Sequence, residues 1–148
     1  MIDSPHLKVK IKRIDKSLPL PVYQTAGAVA VDLYSRIDMT IAPKEIIPIP
    51  SNIIVETPPG YFFMVASRSS TPAKRGLVKP NGIGIIDQDF CGDQDEIRLL
   101  VMNITEQPVE VKKGDRLCQG LFVKIDRFEW NEVDVMPGKN RGGFGSTG

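Results

Sequence analysis

The sequence predicts an all-β domain, a sandwich, barrel or jelly roll, with a single short helix. Two observations carry that expectation. Twelve prolines and thirteen glycines are spread over 148 residues and leave few windows long enough for a helix. Between them, short apolar or alternating runs recur with turn signals at their ends, the pattern of many short strands.

The elements follow in chain order. Leu7, Val9 and Ile11 alternate with Lys8, Lys10 and Lys12, a period of two with one wet face. Ile46–Pro50 and Ile53–Val55 are β-branched runs, and Pro48 and Pro50 point to a sheet edge or a bend. Residues 61–65 follow the turn Thr57-Pro58-Pro59-Gly60. A short helix is expected at Thr71-Pro72-Ala73-Lys74-Arg75-Gly76, with Thr71 as N-cap, Pro72 as first helical residue and Gly76 as stop. Residues 97–102 form another apolar run. Val109 and Val111 lead into a turn at 112–115, and residues 117–125 and 128–135 close the series of strands. From Pro137 the apolar pattern stops. The chain divides into a body, 1–136, and a mobile C-terminal tail, 137–148.

Totals exclude several functions. A net charge of +1 gives no broad basic field, so nucleic acid is not an expected partner. No segment approaches the roughly 20 apolar residues of a membrane span, and the N-terminus lacks an apolar signal-type core. Cys91 and Cys118 form neither a disulfide framework nor a metal pattern, and are expected as thiols in a reducing cytoplasm. The single histidine, His6, lies near one end, which removes His-based triads and His-ligated zinc.

Five segments carry polar chemistry. Ser67-Arg68-Ser69-Ser70-Thr71 precedes the expected helix and is either an anion-binding loop or an ordinary capping loop. Asn81-Gly82-Ile83-Gly84-Ile85-Ile86-Asp87-Gln88-Asp89-Phe90 reads as a β-hairpin whose glycines let a planar ligand approach the backbone. Its Asp is either a general base for water or a turn acid. Asp32, set in Val29-Ala30-Val31-Asp32-Leu33, needs a partner, whether a metal's water shell or an arginine. Gln119, after the Gly114-Asp115 turn, faces a cavity or pairs at a sheet edge. The closing Gly142-Gly143-Phe144-Gly145-Ser146-Thr147-Gly148 has backbone N–H groups able to wrap phosphate oxygens and a ring able to stack.

Taken in order, these segments resemble the five motifs of the trimeric dUTPase family, from about Ala26 to Gly148. The most specific are Ile85-Ile86-Asp87-Gln88-Asp89-Phe90-Cys91-Gly92 and the closing glycine-rich run. The resemblance implies a jelly-roll (β-clip) fold, a homotrimer with each site built from three subunits, and hydrolysis of dUTP to dUMP and pyrophosphate with Mg²⁺. That activity keeps uracil out of DNA and supplies dUMP. By position it implies Asp87 as the base that activates water. Asn81 and the main chain of Gly84, Ile85 and Ile86 would read uracil, Phe90 would pack on deoxyribose, and Phe144 would stack on the base. Arg68, Ser69, Ser70 and Gln119 would hold phosphates, joined by Gly145, Ser146 and Thr147 of the arm. Asp32 would sit near the magnesium, through water.

The chain departs from the family pattern in places. Phe90 stands for a common Tyr, and Cys91 for an Arg that would pair near the first acid, which leaves Asp32 without its expected partner. About three extra residues fall in the acidic stretch 93–96, expected in a hairpin loop. The arm's phosphate cation falls on Lys139, with Arg141 two residues later. A planar fork and a point charge bind phosphate differently, and Arg141 is expected to take part of the role. Two other activities fit the scaffold, a dCTP deaminase and a non-catalytic nucleotide sensor. The deaminase needs an acid on the strand at 97–102, where there is none.

Overall fold

The computed structural model describes residues 6–148. The first five residues of the expected body lie outside the described residues. The described chain is β-rich as expected, with one five-residue helix.

The strands are β1 (Ile11–Arg13), β2 (Val31–Tyr34), β3 (Met39–Ile41), β4 (Ile46–Pro50), β5 (Ile53–Val55) and β6 (Tyr61–Ser67), followed by helix α1 (Thr71–Arg75). Then come β7 (Leu77–Val78), β8 (Gly84–Ile86), β9 (Arg98–Asn103), β10 (Val109–Val111) and β11 (Arg116–Lys124). All pairings are antiparallel. The largest sheet has the order β2-β11-β6-β8 and the second β4-β9-β7, while β1 pairs with β5 and β3 with β10. The prolines of β4 sit on an edge strand, where a missing N–H costs no ladder bond.

Side chains from these sheets meet in one core: Leu33, Ile41, Ile49, Phe63, Val65, Leu77, Leu99, Val101, Val111 and Leu117 are all buried. Each such side chain contributes about 1.5–3 kcal/mol by leaving water. Phe63 packs against Phe122 with ring centroids 5.0 Å apart. A Cβ at Gly120 would lie 2.2 Å from the Phe63 ring, so β11 must be glycine there to pass the ring. Asn103, fully buried, spends its amide on the carbonyls of Ile41 and Gln107 and closes the loop before β10.

Several expectations change. No strand forms over residues 128–135. The alternation is real, but β11 already has β2 on one side and β6 on the other. The segment keeps Phe128, Trp130, Val133, Val135 and Met136 exposed, with Phe128 and Trp130 packed edge to face. The expected hairpin over 81–90 is not one. Its flanking strands β7 and β8 belong to different sheets, β7 pairing with β9 and β8 with β6. The strand around 7–11 is shorter than its pattern, beginning at Ile11. The helix N-cap is Ser70, not Thr71, and Pro72 is the second helical residue. Thr71 instead sends its hydroxyl to the Leu117 carbonyl at 2.9 Å. Gly76 ends the helix in the left-handed region, as expected.

Residues 93–95 do lie in a loop, but Glu96 does not belong with them. Its side chain is 3% exposed, bidentate to Arg36 at 2.8 and 3.0 Å, and accepts the Asn52 N–H. Burial pushes its pKa up, and Arg36 and the Asn52 amide more than offset this, so it stays below its ordinary value. Glu96 lies two residues before β9 but is committed to Arg36, which leaves no free acid there for deamination.

Candidate active site

A β-bulge organises one end of the large sheet. Arg116 lies opposite Tyr34, then the register shifts so that Cys118 meets Leu33 and Gln119 meets Asp32. Residues directly opposed on neighbouring strands point to the same face, and residues two apart share a face. Asp32 and Tyr34 therefore share a face with both Arg116 and Gln119, although those two are three apart. The extra residue also explains why consecutive Leu117 and Cys118 are both buried.

On that face Asp32 is held by two arginines. Its Oδ1 lies 2.9 Å from Arg68 Nε in an ion pair, and its Oδ2 accepts from Arg116 Nη1 at 3.1 Å. Arg68 Nη1 also donates to the Arg116 carbonyl at 3.2 Å. Asp32 thus finds its partners in Arg68 and Arg116, and needs no arginine at position 91. Gln119 donates through Nε2 to the Ser67 carbonyl at 3.0 Å, tying β11 to the residue before Arg68. Ser69 and Ser70 follow at the start of α1. An open groove of about 400 Å³ runs here, lined by Arg68, Ser70, Thr71, Lys74, Arg75 and the 114–116 turn. Arg75 pairs with Asp115 at 2.6 Å. Burial raises the Asp115 pKa, but Arg75 and the Lys112 N–H outweigh it and hold the carboxyl low. The groove therefore keeps a net positive charge that suits an anion.

The second group lies on β8, an edge strand of the same sheet. Gly84 sits close over Val65: a Cβ there would approach the Val65 side chain at 3.2 Å. The close approach this glycine permits is thus to the neighbouring strand. Ile85 is exposed, and the unpaired side of the strand offers main-chain donors and acceptors to solvent. Asn81 sits in the turn before β8, where the Gly82 N–H reaches the Lys79 carbonyl at 3.0 Å. Beyond β8, Asp87 opens a turn closed by the Phe90 N–H on its carbonyl at 3.3 Å, and Gln88 pins the turn to the Tyr61 carbonyl at 3.0 Å. Asp87 lines an open cavity of about 420 Å³ with Tyr61, Phe62, Gln88, Asp89, Ile125 and Arg127. Phe90 is partly exposed, and Cys91 donates weakly to the Gln88 carbonyl.

The third group is the tail. Phe144 is fully exposed, with positive φ, between Gly142 and Gly145, which also have positive φ. Ser146 bonds back to Gly143 and Arg141, and Gly148 to Gly145. Lys139 and Arg141 are exposed.

One chain therefore gathers Asp32, Arg68, Ser69, Ser70 and Gln119, but keeps Asp87 and Phe90 apart from them. Asp87 lies beside Phe62, whereas Arg68 lies beyond Ser67, roughly 20 Å further along β6 at about 3.4 Å per residue. Among the described residues no cluster of three His, Cys, Asp or Glu could hold a metal, and no helix is long and apolar enough to cross a membrane. Both thiols are free, and burial pushes Cys118 up to about 11, so it stays protonated. Arg116 is the site residue that sequence reasoning missed. Simple alternation puts it on the opposite face from Gln119, and only the bulge reverses that.

Comparison with known proteins gives the family and the fold. The dUTPase family profile matches residues 16–148. The deoxyuridine 5'-triphosphate nucleotidohydrolase of Dictyoglomus turgidum is 42% identical over 148 residues, covering 96% of this chain and 99% of its own. A crystal structure of dUTPase from Streptococcus mutans aligns with TM-score 0.74 at 28% identity, over 81% of this chain and 98% of that one. The Staphylococcus bacteriophage 80alpha dUTPase with dUPNHPP shares the fold, with TM-score 0.83 over 95% of this chain and 98% of its own at 23% identity.

Proposed function

The chain belongs to the dUTPase family, and from that premise we propose how its residues divide the hydrolysis of dUTP to dUMP and pyrophosphate. The activity is that of a dUTP diphosphatase. The division of labour is our reading.

Asp87 takes the proton from the water that attacks the α-phosphate. The outer edge of β8 and Asn81 read uracil by main-chain and amide hydrogen bonds, a pattern that cytosine cannot satisfy without leaving buried groups unpaired. The Phe90 ring packs on the deoxyribose and denies room to a 2′-hydroxyl. Arg68, Ser69, Ser70 and Gln119 neutralise and orient the phosphates, so the reacting centre is positioned in line. The arm, 137–148, closes with Phe144 on the base, with Gly145, Ser146 and Thr147 on phosphate oxygens, and with Arg141 sharing the cation role of Lys139. Ordering its glycines is entropically costly and is offset by the ligand.

Mg²⁺ would neutralise charge on the triphosphate, held by phosphate oxygens and water in the manner of a hard, water-retaining cation. The donor set fits that arrangement. No protein trio is needed, and Asp32, with one of about four lone-pair positions hydrogen-bonded to Arg116 and its other oxygen ion-paired with Arg68, keeps capacity for a water of the metal's shell.

The single observation that carries this reading is the separation of Asp87 from Arg68 along β6. Contiguous phosphates cannot span it within one chain. A homotrimer in which each site takes its base-reading edge, its phosphate groove and its arm from different subunits joins them. The exposed apolar run at 128–136 supports such an interface. The free thiols suit a cytoplasmic setting. The test is subunit mixing. Asp87→Asn and Arg68→Ala proteins should each be nearly inactive in pyrophosphate release. Denatured and refolded together, they should regain activity, because some sites then receive both native residues. A mixture that stays as inactive as its parts overturns the shared site.

A further inference from the structure

The groups at Asp32 do more than line a phosphate groove. The bulge at 116–118 rotates Arg116 onto the face of Asp32, a placement the strand would otherwise deny it. Asp32 then pairs with both guanidiniums, one per carboxylate oxygen, accepting a hydrogen bond from Arg116 and forming an ion pair with Arg68, and its side chain is only 12% exposed. Arg68 is held twice, by the ion pair of Nε with Asp32 and by the hydrogen bond from Nη1 to the Arg116 carbonyl. Hydrogen bonding uses one of its five N–H groups and the ion pair sets Nε against Asp32, which leaves one N–H on Nη1 and both on Nη2 for a ligand. The other acid of the groove, Asp115, is taken by Arg75 and the Lys112 N–H and does not compete for Arg116.

We propose that Arg116 is a positioning residue: through the shared Asp32 carboxylate it fixes the Arg68 guanidinium for the outer phosphates of dUTP. This rests on the reading of Arg68 as a phosphate ligand. On this view Asp32 acts first through arginine and only second through metal-bound water. Without Arg116, Asp32 keeps a single partner, and Arg68 is free to follow it between orientations. A long side chain that must be ordered on binding then weakens the phosphate contacts.

The test uses the full-length enzyme and compares KM for dUTP, kcat, the inhibition constant of dUMP and the Mg²⁺ concentration for half-activity. Arg116→Met should raise KM for dUTP about tenfold, the scale of one hydrogen bond to a charged group. It should leave dUMP inhibition and the Mg²⁺ midpoint within about twofold, because dUMP lacks the outer phosphates. Arg116→Lys, which can still pair with Asp32, should recover most of the loss. In an Arg68→Met background, replacing Arg116 should add little, since the two act as one unit. If Arg116→Met leaves KM for dUTP near wild type, or if its effect simply adds to that of Arg68→Met, the positioning role is overturned. An equal rise in the dUMP constant would mean a general loss of structure and would also overturn it. If Arg68→Met itself leaves KM intact, the phosphate reading of Arg68 fails, and this inference fails with it.

Discussion

Asp32 and Phe144 mark two extremes of the same candidate site. Asp32 is largely buried and paired with two arginines before any ligand arrives. Phe144 is fully exposed, on a tail whose hydrogen bonds are to itself. The first region carries its organisation in the sheet, fixed by a bulge and by strand register. The second carries residues of the right chemistry with nothing yet to hold them. On the proposed reading, catalytic need is divided between groups that the fold orders in advance and groups that substrate would order, at an entropic cost the contacts have to exceed.

The contrast can be broken in several ways. The largest effect belongs to Asp87. Asp87→Asn should cut kcat by about 10³-fold, equivalent to about 4 kcal/mol, while dUTP binding measured by calorimetry persists. Next comes the held part of the fold. Arg36→Met removes the bidentate partner of the buried Glu96 carboxylate and should cost about 3 kcal/mol in urea unfolding, while kcat of the folded fraction is retained. The tail should do the reverse. Removing residues 139–148 should lower kcat/KM about a hundredfold, the scale of a lost positioning contact, with no change in the melting temperature of the ligand-free protein. Within it, Arg141→Ala should raise KM for dUTP; if only Lys139→Ala does so, Arg141 has no share in the role. The smallest effect is in acid. Glu96 is held below its ordinary value of 4.5. Its ionised form therefore stabilises the fold above about that pH, and the contribution is lost as pH falls through the folded value. Glu96→Gln should lower the melting temperature at pH 7 and flatten the acid decline by about 3 °C.

The legible parts of the fold were those set by local chemistry. The proline- and glycine-bounded runs became strands, Gly76 ended the helix, and the prolines of β4 marked an edge. What could not be read depended on a distant partner. The 128–135 alternation looks like a strand until β11 is seen to have both edges filled. β3 and β7, three and two residues long, are too short to announce themselves. In the candidate site, residues could be named from the resemblance, but the company they keep could not. Asp32 was left without a partner because the arginine that joins Arg68 on it reaches its face by a register shift, which no period-two pattern encodes. Glu96 likewise passed as one more acid in a loop, since its Arg36 partner lies 60 positions away.

Trp130 gives the molecule its own reporter. It is the chain's single tryptophan, 88% exposed, resting edge-on against Phe128 in the apolar run outside the sheets. Excited at wavelengths beyond the absorption of its three tyrosines, this protein therefore emits from one place, the segment between β11 and the C-terminal residues 137–148. Covering that segment with another subunit would take the indole out of water and shift its emission to the blue, and dilution that separates subunits would shift it back. Assembly can be followed by light from the native chain, with no label attached and no residue of the site disturbed.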